Sequence, residues 1–159
     1  MANKSAFVDN ITPYLKDVQG RKIQLTIIMR KISLDMKTVI RKRFSESKDL
    51  HGKSWPAIKN ASKKRGGKTS KPLVDNGERG GLKGSITVRH GLTFAQAGTN
   101  KKYAKVHDKG FSGSVNKTSK KGKKFVANMN IPQRRFSGIN RHQKKKYKNM
   151  IINFIMYGK

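Results

Sequence analysis

SITVRHGLTFAQAGTNKKYAKVHDKG, residues Ser85–Gly110, is the stretch on which the fold turns. Ile86 and Val88 alternate with Ser85, Thr87 and Arg89, the period of a strand with one buried face. His90-Gly91 interrupts the run. Leu92 and Phe94 then resume the alternation against Thr93, Ala95 and Ala97. Short strands on either side of a Gly-containing break predict a β-hairpin, ending at Gly98-Thr99-Asn100. Beyond it, Tyr103, Val106 and His107 can share one side of a single helical turn. Gly110 closes that turn, because Gly tolerates the left-handed backbone that stops helices.

Before this stretch, apolar spacing predicts helices. Phe7, Ile11, Tyr14, Leu15 and Val18 suggest a first short helix over Ser5–Val18, though Pro13 argues against a long uninterrupted helix unless it sits in the first turn, and Gly20 breaks the chain. A longer helix is expected over Lys22–Phe44, with Leu25, Ile28, Met29, Ile32, Met36, Val39 and Ile40 in one stripe. Ile23, Ile27 and Leu34 lie nearly opposite that stripe. A helix apolar on two sides is packed either between layers of its own chain or between its own chain and a neighbour. In a chain this polar, the neighbour is favoured. Arg41-Lys42-Arg43 suits the negative pole of the helix dipole and needs no ligand. Asp49–Pro56 reads as a turn ending in the chain's only Trp, expected to be a core anchor.

Ser62–Lys71 has almost nothing to bury and predicts a basic loop. Pro72–Val74 is read as a brief edge strand and Asp75-Asn76-Gly77 as a turn. After Gly110, Ser112–Lys124 reads as a second basic loop and Phe125–Ile131 as a closing strand, ended by Pro132. A last helix is expected over about Asn140–Tyr157, with Asn140 as N-cap and Tyr147, Met150, Ile151 and Phe154 on its apolar face. The expected organisation is one domain over residues 1–159: helices to 44, a motif segment over 45–84, a sheet over 85–136 and a helix over 137–159.

Charge is the strongest compositional signal. Lys and Arg total 38 against 8 Asp and Glu in 159 residues, a formal net charge of +30. Self-repulsion of that size calls for an anionic partner, whether nucleic acid, acidic protein or anionic membrane. The last acidic residue is Asp108. Apolar and aromatic residues make up 34% of the chain, enough for a modest core. With no cysteine, disulfides and thiolate metal sites are ruled out. No signal peptide is read, and no apolar run approaches the roughly 18 residues of a membrane span. The expectation is a soluble intracellular chain.

Signals for chemistry are weak. His51, His90, His107 and His142 show no zinc-ligand spacing. Gly66-Gly67-Lys68-Thr69 lacks the upstream Gly and the buried strand of a phosphate-binding loop. Carboxylates are too few for paired acid–base or two-metal chemistry. No catalytic, metal or cofactor site is expected. Nor is there a zinc finger, helix-turn-helix or RNA-recognition signature, so any DNA contact should be sequence-neutral and salt-sensitive.

Four stretches together resemble the virion-morphogenesis or tail-completion family of tailed bacteriophages. They are Asp49–Ile58, with Gly52 and Trp55; Leu73–Gly77 with Leu82–Ile86; Gly98-Thr99 with Tyr103–His107 and Gly110; and Ile131–Phe136. The departures are Asn76 in place of Thr, a longer link over Glu78–Gly81, and Ser137 where Leu is common. The resemblance implies an α+β fold with the helices on a small, mostly antiparallel sheet. It implies a non-enzymatic ring, commonly six-fold, at the head–tail neck of the virion, assembled in the host cytoplasm beside connector, tail-terminator or tail-tube proteins. Trp55, Tyr103, His107, Arg134 and Phe136 would then be structural motif residues. Ile23, Ile27, Leu34 and Phe154 are the expected contacts between copies. Lys63, Lys64, Arg65 and Lys68, with Lys120, Lys121, Lys123 and Lys124, would face genome DNA or an acidic neighbour. The competing reading is a stand-alone, sequence-nonspecific nucleic-acid binder. A membrane-surface role for the basic C-terminal helix ranks last.

Overall fold

The structure is a computed structural model that describes residues 16–21, 24–57, 72–73, 81–119 and 122–158. In chain order the elements are α1 (residues 16–21), α2 (Leu25–Glu46), α3 (Gly81–Gly84), β1 (Thr87–His90), β2 (Ala95–Gly98), α4 (Ala104–Lys109), β3 (Phe111–Thr118), β4 (Lys124–Ile131) and α5 (Arg141–Tyr157). The class is α+β. Instead of one small sheet, the described residues form two separate antiparallel ribbons, β1–β2 and β3–β4.

Helix α2 is the organising element. Ile28, Ile32, Ile40 and Phe44 fall at multiples of four residues and are all buried. That spacing keeps them in one stripe along the helix. The N-terminal half of the stripe, Ile28, Met29 and Ile32, packs with Tyr147 and Phe154 of α5. The C-terminal half, Ile40 and Phe44, packs with Trp55, Leu82, Ile86, Ala104 and Phe136. Helix α2 thus runs across both ends of the core, with the β1–β2 ribbon packed against it. Full burial of a Phe removes its whole apolar surface from water, worth about 2–3 kcal/mol; Phe44 is 0% exposed.

The segment that follows α2 is folded back by its own polar groups. Ser47 takes a left-handed backbone, φ 54°, which ends the helix. Asp49 Oδ1 accepts from the N–H groups of His51 (2.8 Å) and Lys53 (2.9 Å), and Gly52 supplies φ 86°. This closed turn returns the chain so that the Trp55 N–H donates to the Ser47 carbonyl at 2.7 Å. Trp55 then meets Phe44 edge-on, ring centroids 5.4 Å apart. Helix α5 starts with a capping box: Asn140 Oδ1 accepts from the Gln143 N–H, and Gln143 Oε1 from the Asn140 N–H, both at 2.9 Å.

Several sequence expectations are corrected. The β1–β2 ribbon forms, but β2 begins at Ala95, and Leu92 and Phe94 lie in the connection, 55% and 43% exposed. The Gly91 N–H donates to the Phe94 carbonyl at 2.9 Å and closes the turn there, taking both side chains past the end of the packed surface. Ser112–Thr118, expected as loop, is strand: β3 pairs with β4 along its whole length, from Phe111 with Ile131 to Thr118 with Lys124. Gly113 and Lys117 hold positions where a strand would show apolar residues, which hid the alternation. Pro72-Leu73 is a turn, with Leu73 at φ 63°, and not an edge strand. The long helix runs Leu25–Glu46. Most of the expected first helix, the Ser62–Lys71 loop and the Asp75–Gly77 turn lie outside the described residues.

Candidate assembly site: the motif hub and the exposed faces

The motif residues meet around Phe44. Phe136 meets it at a tilt, centroids 5.1 Å apart, and Trp55 edge-on. Arg134, 6% exposed, donates from Nε to the Pro56 carbonyl (3.0 Å) and from an Nη to the Ala57 carbonyl (3.1 Å). Its guanidinium therefore ties the chain just after Trp55 to the segment before Phe136, while its own N–H donates to the His107 carbonyl at 2.8 Å. Burial lowers the pKa of Arg134 from its ordinary value. Tyr103, 45% exposed, touches His107 edge-on at 6.0 Å. Burial and, second, the Arg134 charge hold the His107 imidazole below its ordinary pKa. Among the described residues, Trp55 Nε1 and His107 Nδ1 are buried with no hydrogen-bond partner.

Two members of this hub were not legible as such in the sequence. Asp108 accepts from the N–H groups of Phe136 (3.0 Å) and Ser137 (2.9 Å) and from the Ser137 hydroxyl (2.8 Å). It is the last carboxylate in the chain, and that isolation was its only sequence signal. Arg43, assigned to the helix dipole, is buried. One Nη donates to the carbonyls of Phe136 (2.8 Å) and Gly138 (2.7 Å), the other to Gln143 Oε1 (3.0 Å). Burial draws its pKa down, with Tyr147 and Asp49 partly opposing. Arg43 thus ties the end of α2 to the capping box of α5.

Around this hub lie the surfaces that sequence assigned to contacts. Ile27 is 50% and Leu34 46% exposed, seven residues apart on the outer side of α2. Ile23 lies outside the described residues. Phe154 is 8% exposed and packs on α2, so the expected contact between copies gives way to a role in the chain's own core. The reason is helical phase: Tyr147 and Phe154 are two turns apart and face α2 together. Ile152, Met156 and Tyr157 are the exposed apolar residues of α5. Lys123 and Lys124 are exposed at the end of the β3–β4 ribbon. Lys63, Lys64, Arg65, Lys68, Lys120 and Lys121 lie outside the described residues. Among the described residues, no cluster of His, Asp or Glu could hold a metal ion, and no helix is long and apolar enough to cross a membrane.

The profile of the phage virion morphogenesis family matches residues 8–155, nearly the whole chain. The chain belongs to that family. The assignment agrees with a hub built for rigidity and gives the protein a part in building a phage particle. Comparison of this family member with curated proteins and with solved structures found no significant match.

Proposed function

We propose that this protein is a non-enzymatic structural component of a tailed phage. Copies of it form a closed ring, most simply a hexamer, at the neck where head meets tail, completing the tail or joining it to the head. The observation that carries the reading is the outer side of α2, where Ile27 and Leu34 stay half-exposed while the opposite stripe is buried. A ring needs heterologous side surfaces that meet copy to copy and close. The net charge of +30 suits a lumen through which genome DNA passes, or acidic rings above and below.

Sedimentation of the purified chain at moderate and high salt tests this, alone and with its neck partners. Burying what remains exposed of Ile27 and Leu34 is worth roughly 1 kcal/mol each, so the double variant Ile27→Gln, Leu34→Gln should weaken each contact about 30-fold. A monomer in every condition, unchanged by that variant, would refute the ring. The same net charge favours a second reading, a stand-alone nucleic-acid binder. That reading predicts a monomer whose DNA affinity falls steeply with salt.

A further inference from the structure

About one residue in four of this chain is Lys or Arg, yet three runs of ten or more residues contain neither: 5–15, 90–100 and 149–158. The fold brings ends of two of them together. Helices α2 and α5 run antiparallel: Gln143 meets Arg43, the Tyr147 hydroxyl meets Asp35, and the Ile155 and Met156 carbonyls accept from Arg21, just before α2. The last turns of α5 thus lie beside the start of α2. In the β1–β2 ribbon, Ala95 packs on the cluster around Ile28 and Ile32, and Ala97 on the cluster around Ile40 and Phe44. The turn before Ala95 therefore lies toward that same end. Leu92, Phe94, Ile152, Met156 and Tyr157 are the apolar residues it exposes, each between 39% and 66%. At the other end, where α5 begins, Arg141, Lys144, Lys145 and Lys148 are exposed instead. Exposed apolar side chains gathered at one end of a chain this basic mark a docking surface.

The third run is tethered at this end. The described chain starts at Lys16 in α1, and Arg21, the last residue of α1, donates to the Ile155 (3.3 Å) and Met156 (2.6 Å) carbonyls. At 1.5 Å per residue, Lys16 is about 8 Å of helix away from Arg21. Residues 5–15 precede it directly. They carry Phe7, Val8, Ile11, Tyr14 and Leu15, with Asp9 as the one charge. Eleven residues reach at most about 36 Å when extended, enough to cover any part of this end. We propose that residues 5–15 dock on the apolar end of their own chain, over the last two turns of α5 and the hairpin tip at Leu92 and Phe94. The segment is apolar where the surface is apolar, and it brings no ammonium or guanidinium to be stripped of water. Its short tether sets an effective concentration in the millimolar range, which favours the chain's own segment over that of a second copy. The proposal does not rest on the ring.

The test places a photoreactive p-benzoylphenylalanine at Phe7 in the purified full chain, one aromatic for another. After irradiation, denaturing gels separate the products by size and the joined peptides are sequenced. The expected product migrates as one chain and joins position 7 to a residue within 90–100 or 149–158. Apolar docking is separated from mere tethering by adding Val8→Gln and Ile11→Gln to the labelled chain. Each buried aliphatic side chain shifts such a contact roughly tenfold, so the yield should fall at least about threefold. A product joining two chains would give the surface to a second copy and overturn the proposal. Joining elsewhere in the chain, no product, or a yield unchanged by the two glutamines would overturn it as well. Sedimentation of the same sample reports ring formation separately. A ring without the position-7 product sinks this proposal alone. The product in a chain that stays monomeric sinks the ring alone.

Discussion

Replacing Arg43 tests the reasoning about the hub most directly. Its guanidinium reaches three acceptors on two segments, the Phe136 and Gly138 carbonyls and Gln143 Oε1. Arg43→Ala leaves the buried Phe136 carbonyl without this donor, at about 1–3 kcal/mol, whereas Gly138 is exposed and water can replace the donor there at smaller cost. Gln143 Oε1 keeps the Asn140 N–H, so its loss is the smallest. The expected total is about 2–4 kcal/mol, a large part of the 5–15 kcal/mol that holds a typical domain folded. Arg43→Lys keeps the charge but not the planar fork, and one ammonium cannot span all three acceptors. It should lose about half as much. Urea denaturation measures these losses without adding salt that would screen the +30 charge. A double-mutant cycle with Gln143→Ala should return about 1.5–3 kcal/mol of coupling, the range for a hydrogen bond to a charged group. The reasoning fails if Arg43→Ala costs less than about 1 kcal/mol, or if the two substitutions are additive.

Two further predictions concern His107 and Gly110. The His107 imidazole has a lower pKa folded than unfolded, so between the two values the unfolded chain binds more protons. Its contribution to stability is complete above about pH 6.5 and is lost as pH falls toward the folded-state value; urea midpoints at pH 7.5 and 5.5 should diverge less in His107→Gln than in the parent chain. Gly110 has φ 78°, and a Cβ there would lie 3.1 Å from the Gln133 nitrogen and 3.2 Å from the Ile131 oxygen. Gly110→Ala should cost about 1–3 kcal/mol. Gly122→Ala, with φ 80° but open space, should cost less; equal losses in thermal melts would show that the backbone contact at the base of the ribbon carries no energy.

The sequence alone determined the parts of the fold governed by local periodicity and capping. The stripe of α2, the Asn140 start of α5, the β1–β2 ribbon and the burial of Trp55 follow from spacing and residue type within short windows. Helical phase also brought Ile27 and Leu34 together on one side of α2. Other features depend on what lies across the chain. Whether Phe154 faced its own chain or a neighbour depended on where α2 lay, more than a hundred residues earlier. Strand β3 was illegible because Gly113 and Lys117 break its apolar alternation; only pairing with β4 makes it a strand. Arg43 and Asp108 look like solvated charges in the sequence. They become structural because they meet backbone carbonyls and N–H groups of a distant segment, buried or part-buried beside the aromatic cluster. Local propensity reads one helix or turn at a time, and the satisfaction of buried polar groups is settled only when distant segments meet.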